Sequence, residues 1–213
     1  MNVSLKWITP KAEETLVEIA RVSSDPNKAQ KSTDSELLQY FREHGHWSPF
    51  EMVSACFSIR TTRDIARQML RHRSFSFQEF SQRYQDANVL GDPIKRECRI
   101  QDLKNRQNSH RSGDGDLMTI WDDYQDRVIE TAFGAYDAAL EFGIAKEQAR
   151  ALLPEGLTPS HVWMSGTIRS WYHYLTQRLG QGTQSEHQII ANEIGWQLKE
   201  EMPNVFGSLY NAD

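Results

Sequence analysis

Between Met52 and Leu70 the sequence changes its period, and that change restricts the fold more than any other feature of the chain. Val53, Ala55, Phe57 and Ile59 alternate with Met52, Ser54, Cys56 and Ser58, the period of a half-buried strand. Thr62 then stands where a helix N-cap belongs, and Ile65, Ala66, Met69 and Leu70 follow at helical spacing. A strand that feeds an amphipathic helix calls for a fold in which sheet and helix share a core. Arg63, Arg67 and Arg71 recur every four residues, so another face of the same helix is a row of guanidiniums.

The rest of the chain reads mainly as helix. Glu13 to Ser23 places Leu16, Ile19 and Ala20 on one face, and Ser24-Asp25-Pro26-Asn27 breaks it. Thr33 or Asp34 caps a second helix with Leu37, Leu38 and Phe41, ended by Gly45. A long helix from Leu117 to Phe142 sets Ile120, Tyr124, Val128, Ala135 and Ala139 at helical spacing. A short helix with Ala149 and Leu152 stops before Pro154, and two more run over Arg169–Leu179 and Gln184–Glu200. His161 to Met164 reads as a short strand, Arg73 to Gln85 as extended chain, and Gly91 to Gly115 as a long polar loop. With no repeat, low-complexity stretch or clear linker, the expectation is α+β, one domain over 1–213, with a central, mostly antiparallel sheet flanked by helices.

Charge narrows the class of ligand. The 213 residues carry a net charge of −5, which argues against general nucleic-acid binding. Yet residues 60–111 hold 12 of the 24 lysines and arginines and only 6 of the 29 acids. A basic cluster within an acidic chain points to a small anion, such as a phosphate. No apolar run is long enough to span a bilayer, and the stretch before Pro10 is too brief for a signal peptide. Two cysteines, Cys56 and Cys98, make no disulfide framework, so a reducing, cytoplasmic setting is expected. His161, His173 and His187 have no metal-ligand spacing with cysteines or carboxylates, and no metal is expected.

The chemistry concentrates in Arg71-His72-Arg73-Ser74-Phe75-Ser76-Phe77-Gln78-Glu79-Phe80-Ser81-Gln82-Arg83-Tyr84. Guanidinium forks suit phosphate oxygens and carbonyl edges, hydroxyls bind phosphate without charge, and a lone carboxylate accepts from ribose hydroxyls or an N–H. Residue types alone fit a phosphorylated heterocycle and a solvated basic face equally. His72, between two arginines, is expected to resist protonation. The run Trp171, Tyr172, Tyr174 reads as core packing, and His44 reads equally as a helix-end cap or a ligand contact.

Spacing breaks the tie. Arg71-His72-Arg73, seven residues, then Ser81 resembles the signature of the flavin-dependent thymidylate synthases. The likeness continues at Ser76, Glu79, Arg83 and Tyr84, with Gln78 where the family usually has asparagine. Ala20-Arg21-Val22-Ser23 and His44-Gly45-His46-Trp47-Ser48-Pro49-Phe50-Glu51 are similar to family segments. So are Ala66-Arg67-Gln68, Lys104-Asn105-Arg106-Gln107-Asn108-Ser109 and Ala149-Arg150-Ala151-Leu152-Leu153-Pro154. Arg169-Ser170-Trp171-Tyr172-His173-Tyr174 and Arg178 with Gln184 and Glu186 extend it to the C-terminal region. Departures from the pattern are Thr167 for asparagine, Gln177 for leucine, Gly182 for a histidine of some members, Thr183 for alanine and Ser185 for tryptophan.

The resemblance implies reductive methylation of dUMP to dTMP, with methylenetetrahydrofolate as carbon donor and NADPH-reduced FAD as hydride source. It implies that Ser48, Arg71, His72, Arg73, Glu79, Thr167, Arg169 and His173 hold FAD. Gln68, Arg71, Glu79, Ser81, Gln82, Arg83, Arg150 and Arg178 would bind dUMP. Arg178 would be catalytic at the uracil edge, favouring the N3-deprotonated ring. A homotetramer with shared active sites follows from the same likeness, and the apolar stripe of the long helix then faces either a partner subunit or the chain's own core. Two other readings stay open. A relative that transfers a hydroxymethyl group or accepts dCMP would differ in product mass. A non-catalytic nucleotide- or RNA-binding module would need aromatics along a basic groove and would lose affinity steeply with salt.

Overall fold

The computed structural model describes residues 1–22 and 32–210; the breaker at Ser24–Asn27 and the end of the first helix at Ser23 fall outside the described residues. The chain is α+β with an antiparallel sheet. It opens with β1 (Asn2–Ile8), α1 (Ala12–Arg21), α2 (Asp34–Glu43), β2 (Ser54–Thr62), α3 (Arg63–Met69) and β3 (Ser76–Glu79). It continues with β4 (Arg99–Gln101), β5 (Ser109–Arg111), α4 (Gly115–Glu141) and α5 (Lys146–Ala149). It ends with β6 (Pro159–Thr167), α6 (Ile168–Arg178), α7 (Ser185–Glu201) and α8 (Pro203–Phe206). The main sheet has the order β1-β2-β6-β3. Backbone contacts group the chain into two compact units. The first comprises Met1, Arg60–Arg71 and Gln78–Val162; the second comprises Asn2–Ile59, His72–Phe77 and Trp163–Asp213.

The period change is realised as read. Val53, Ala55, Phe57 and Ile59 are fully buried, and β2 runs straight into α3. Thr62 occupies the N-cap of α3 but makes no capping bond; its hydroxyl donates to Asp64 Oδ1 at 2.5 Å. The cap is lost because Arg96 Nη2 reaches both Thr62 Oγ1 and Asp64 Oδ1, drawing the pair into one ion-pair network. At α2, Thr33 forms a full capping box with Glu36, the arrangement that satisfies two backbone donors at once.

In the second unit the core is aromatic. Trp171 is fully buried, donates its indole N–H to the Ala55 carbonyl at 3.2 Å, and lies edge-on to Phe57 and Phe75. Phe75 belongs to the signature segment, and its ring lies over Gly166 of β6. A Cβ on Gly166 would sit 2.4 Å from that ring. Glycine is therefore required there for close packing, and the contact pins the segment His72–Phe77 against β6 and α6. Ser170 Oγ adds a bond to the Ser74 carbonyl at 3.2 Å. On β1, at one edge of the sheet, Gln197 of α7 accepts from Leu5 N and donates to the Val3 carbonyl.

In the first unit, Ala87, Phe133, Tyr136, Ala139, Ala149 and Leu153 form one cluster. Tyr136 is buried within it, accepting from Ala87 N and donating to Asp86 Oδ1. This cluster uses only the C-terminal half of α4. Ile120, Tyr124 and Val128, in the N-terminal half, are 46, 56 and 45% exposed, so the core reading of that stripe holds at Ala139 and fails at these three positions. What holds this end of α4 is polar: Gln125 bonds Arg96 N and O, and Trp121 Nε1 donates to the same carbonyl. Two sequence expectations are corrected. The polar loop over 91–115 contains an antiparallel ribbon, Arg99 opposite Arg111, and its short polar strands lack the apolar alternation that marks a strand. The strand at His161–Met164 extends over Pro159–Thr167.

Candidate active site

The second part of the signature, from Gln78 onward, lies in the first unit. Glu79 ends β3, accepts from Ser160 Oγ at 2.8 Å and faces Arg63 Nη1 at 3.5 Å, both side chains being largely buried. Glu79 is thereby aimed by β6 and α3. Ser81 opens the turn after β3: its carbonyl accepts from Tyr84 N and Gln85 N. That turn buries Gln82 to 2% exposure, and its Nε2 has no hydrogen-bond partner. A buried amide donor left open is a costly arrangement that a bound acceptor relieves.

Arg83 and Arg150 meet at one residue. Glu147 Oε2 is 3.7 Å from Arg83 Nε, and the Glu147 carbonyl accepts from Arg150 Nε at 3.3 Å. Both contacts are loose and Arg83 is half-exposed, so a dianion can take over from the carboxylate at little cost. Arg83 also lies 5.6 Å over the Tyr84 ring. Arg71 is exposed just beyond α3, where Gln68 is half-buried.

The second unit holds the remaining candidates. Ser48 is exposed at the start of a 3-10 turn over Ser48–Glu51, and it lines a cleft of about 410 Å³ with Ala20, Phe41 and His46. His44 is accounted for structurally: Nδ1 bonds the Tyr40 carbonyl at 2.9 Å at the end of α2. Thr167 caps α6, accepting from Ser170 N. Arg169 pairs with Glu51, and His173 packs on Trp47 at 4.7 Å. Burial and then the Arg169 charge push the His173 pKa down. Arg73 is exposed.

The most informative contact joins His72 to Arg178. Arg178 ends α6, and its Nε donates to His72 Nε2 at 3.0 Å. Burial first, and then the Arg178 charge, push the His72 pKa down to about 4. The sequence expectation of a neutral histidine holds, but the responsible arginine is Arg178, a hundred residues downstream, rather than Arg71 or Arg73. Among the described residues Arg178 meets no carboxylate at ion-pair distance. Behind the pair, Tyr174 packs edge-on to His72 at 4.9 Å and bonds His187 Nε2 at 3.0 Å. Sequence reasoning weighed His187 only as a metal ligand, and no spacing signal would have found this contact: its partners lie on another helix and in the signature loop.

Neither cysteine is set up as a nucleophile. Cys56 is buried in β2, and burial pushes its pKa up. Cys98 Sγ donates weakly to the Leu117 carbonyl at 3.9 Å. Among the described residues no cluster of three His, Cys, Asp or Glu residues is arranged to hold a metal ion, and no helix is long and apolar enough to cross a membrane.

Comparisons with known proteins agree with this chemistry. The family profile described as thymidylate synthase complementing protein matches residues 4–204. The probable flavin-dependent thymidylate synthase of Paramecium bursaria Chlorella virus 1 is 45% identical over 198 residues, covering 93% of this chain and 90% of that protein. The flavin-dependent thymidylate synthase of a Synechocystis strain is 45% identical over 193 residues, covering 89% and 86%. Among solved structures, the UMP/dUMP methylase PolB from Streptomyces cacaoi bound with 5-Br UMP superposes with a TM-score of 0.81 at 26% identity, over 97% of this chain and 92% of that one. The chain belongs to the family of the thymidylate synthase complementing protein, that of the flavin-dependent thymidylate synthases.

Proposed function

We propose that this chain methylates dUMP to dTMP, taking its carbon from methylenetetrahydrofolate and its hydride from FAD reduced by NADPH, and that Arg178 is the catalytic residue. The observation that carries the reading is the Arg178–His72 contact. A guanidinium that rests on a neutral base, with no carboxylate at ion-pair distance among the described residues, keeps more of its field for an anion developing nearby. A uracil ring losing its N3 proton develops such an anion, and its C5 becomes richer in electrons.

The dUMP phosphate goes to Arg83 and Arg150, the two guanidiniums gathered at Glu147, with Ser81 as an uncharged donor. Glu79, fixed by Arg63 and Ser160, is an acceptor for sugar hydroxyls, and the open amide of Gln82 is a donor for a base or sugar oxygen. Gln68 and Arg71 complete that set. The polar groups of the second unit fit a flavin in kind. Arg73 and Arg169 suit its pyrophosphate, and Ser48 and Thr167 supply hydroxyls. Burial first, and then a neighbouring arginine, push the His72 and His173 pKa values down, which favours uncharged imidazoles there. FAD, when bound, supplies the two-electron redox step; the protein binds it, orients it and keeps water away.

The reading includes a cytoplasmic homotetramer with shared active sites. The exposed Ile120, Tyr124 and Val128 face of α4 supports burial against another copy. The deciding experiment is a visible spectrum of protein with added FAD, titrated with dUMP, then product analysis by mass. A bound-flavin spectrum that shifts with dUMP, and a product of dTMP mass, support the reading. Absence of bound flavin and of any response to dUMP would sink it. A hydroxymethyl product, or turnover of dCMP or UMP in place of dUMP, would redirect it within the enzyme class.

A further inference from the structure

We infer that Tyr174 and His187 are positioning residues, which fix the plane of the His72 ring and through it the Arg178 guanidinium. The inference rests on the role given to Arg178 above. Because Arg178 Nε donates to His72 Nε2, that nitrogen carries no proton, and a neutral ring has its one N–H on Nδ1. Rotation of the imidazole, or a change of tautomer, would set a donor against a donor and release Arg178.

Two groups oppose that rotation. Tyr174 stands one helical turn before Arg178 on α6, so both side chains leave the same face. Its ring meets His72 at 4.9 Å with an interplanar angle of 73°, closing off one side of the imidazole. His187, fully buried on α7, bonds the Tyr174 hydroxyl and stands perpendicular to His72 at 6.4 Å. Burial raises the Tyr174 pKa, which keeps the hydroxyl protonated. An apolar pair would fill this space without two buried polar groups to satisfy, so their hydrogen-bonding character is explained by orientation rather than by packing.

The test uses Tyr174→Phe, which removes the hydroxyl and keeps the ring, His187→Leu, and the double variant. Each is loaded with FAD and assayed per flavin-bound site. Each single variant is expected to lower kcat about tenfold while KM for dUMP stays within about twofold, the signature of a displaced catalytic group rather than lost binding. The double variant is expected to be no slower than the slower single, because one hydroxyl–imidazole bond is removed in both. Normal kcat in Tyr174→Phe while Arg178→Ala is inactive would overturn this inference alone. So would losses that multiply in the double variant. Normal turnover in Arg178→Ala would overturn both it and the reading beneath it. Tyr174→Phe is decisive by itself if His187→Leu fails to fold.

Discussion

Arg178 of the second unit is held differently from Arg63, Arg67, Arg83 and Arg96 of the first. In the first, Arg63 faces Glu79, Arg67 pairs with Glu155, Arg83 approaches Glu147 and Arg96 is bound to Asp64. In the second, the arginine at the end of α6 rests on an imidazole held neutral. A carboxylate partner fixes a guanidinium but offsets its charge. A neutral acceptor fixes it and leaves the charge intact. The first arrangement suits a site that exchanges one anion for another, as phosphate binding requires. The second suits a group that must stabilise charge appearing during a reaction.

The contrast is broken most severely by Arg178→Ala. Turnover is expected to fall by at least about a hundredfold, the scale for removing one preorganised donor to a developing anion, while FAD stays bound. Loss of flavin together with normal turnover on added FAD would place Arg178 in the wrong category. Arg83→Ala should act on binding instead, weakening dUMP by about 1.5–3 kcal/mol through loss of a charged hydrogen bond. Equilibrium titration reads this, and unchanged affinity removes Arg83 from the phosphate site. Gly166→Ala tests the anchor beneath His72. Overpacking against Phe75 should cost about 1–3 kcal/mol in urea unfolding, and an unaltered midpoint would show that the ring yields freely.

The smallest effect is a pH dependence. His72 is pushed down to about 4, and His187, by burial first and then by Arg178 and His72, to about 3. In the unfolded chain both take a proton near pH 6.5, so between about 6.5 and 3 the unfolded state binds more protons than the folded one. Stability contributed by these groups is therefore complete above the upper value and is lost as pH falls through that window. Thermal melts should drop with acidification, and His187→Leu should flatten part of the slope. An identical slope in the variant would show that other groups govern it.

Much of this was legible in sequence. The strand-to-helix switch at 53–70 was readable because each element buries one face of its own period. The signature stretch was readable because its chemistry is packed into fourteen residues. What stayed hidden depends on contacts distant in the chain. Arg96 takes Thr62 and Asp64 from the cap of α3 across more than thirty residues, and no local pattern announces it. Helical spacing placed Ile120, Tyr124 and Val128 on one stripe, but spacing does not say whether a stripe faces inward. His72 was expected to resist protonation because of its sequence neighbours; its pKa is pushed down by burial first and then by the distant Arg178.

Gln197 bears on how copies of this chain can meet. Its amide occupies both the Leu5 N–H and the Val3 carbonyl of β1. An extended strand from another molecule needs such a donor–acceptor pair to begin adding to a sheet. With that pair taken, β-augmentation has no starting point at this stretch of the edge, and assembly is directed toward side-chain surfaces. Gln197→Ala would reopen the stretch to strand addition.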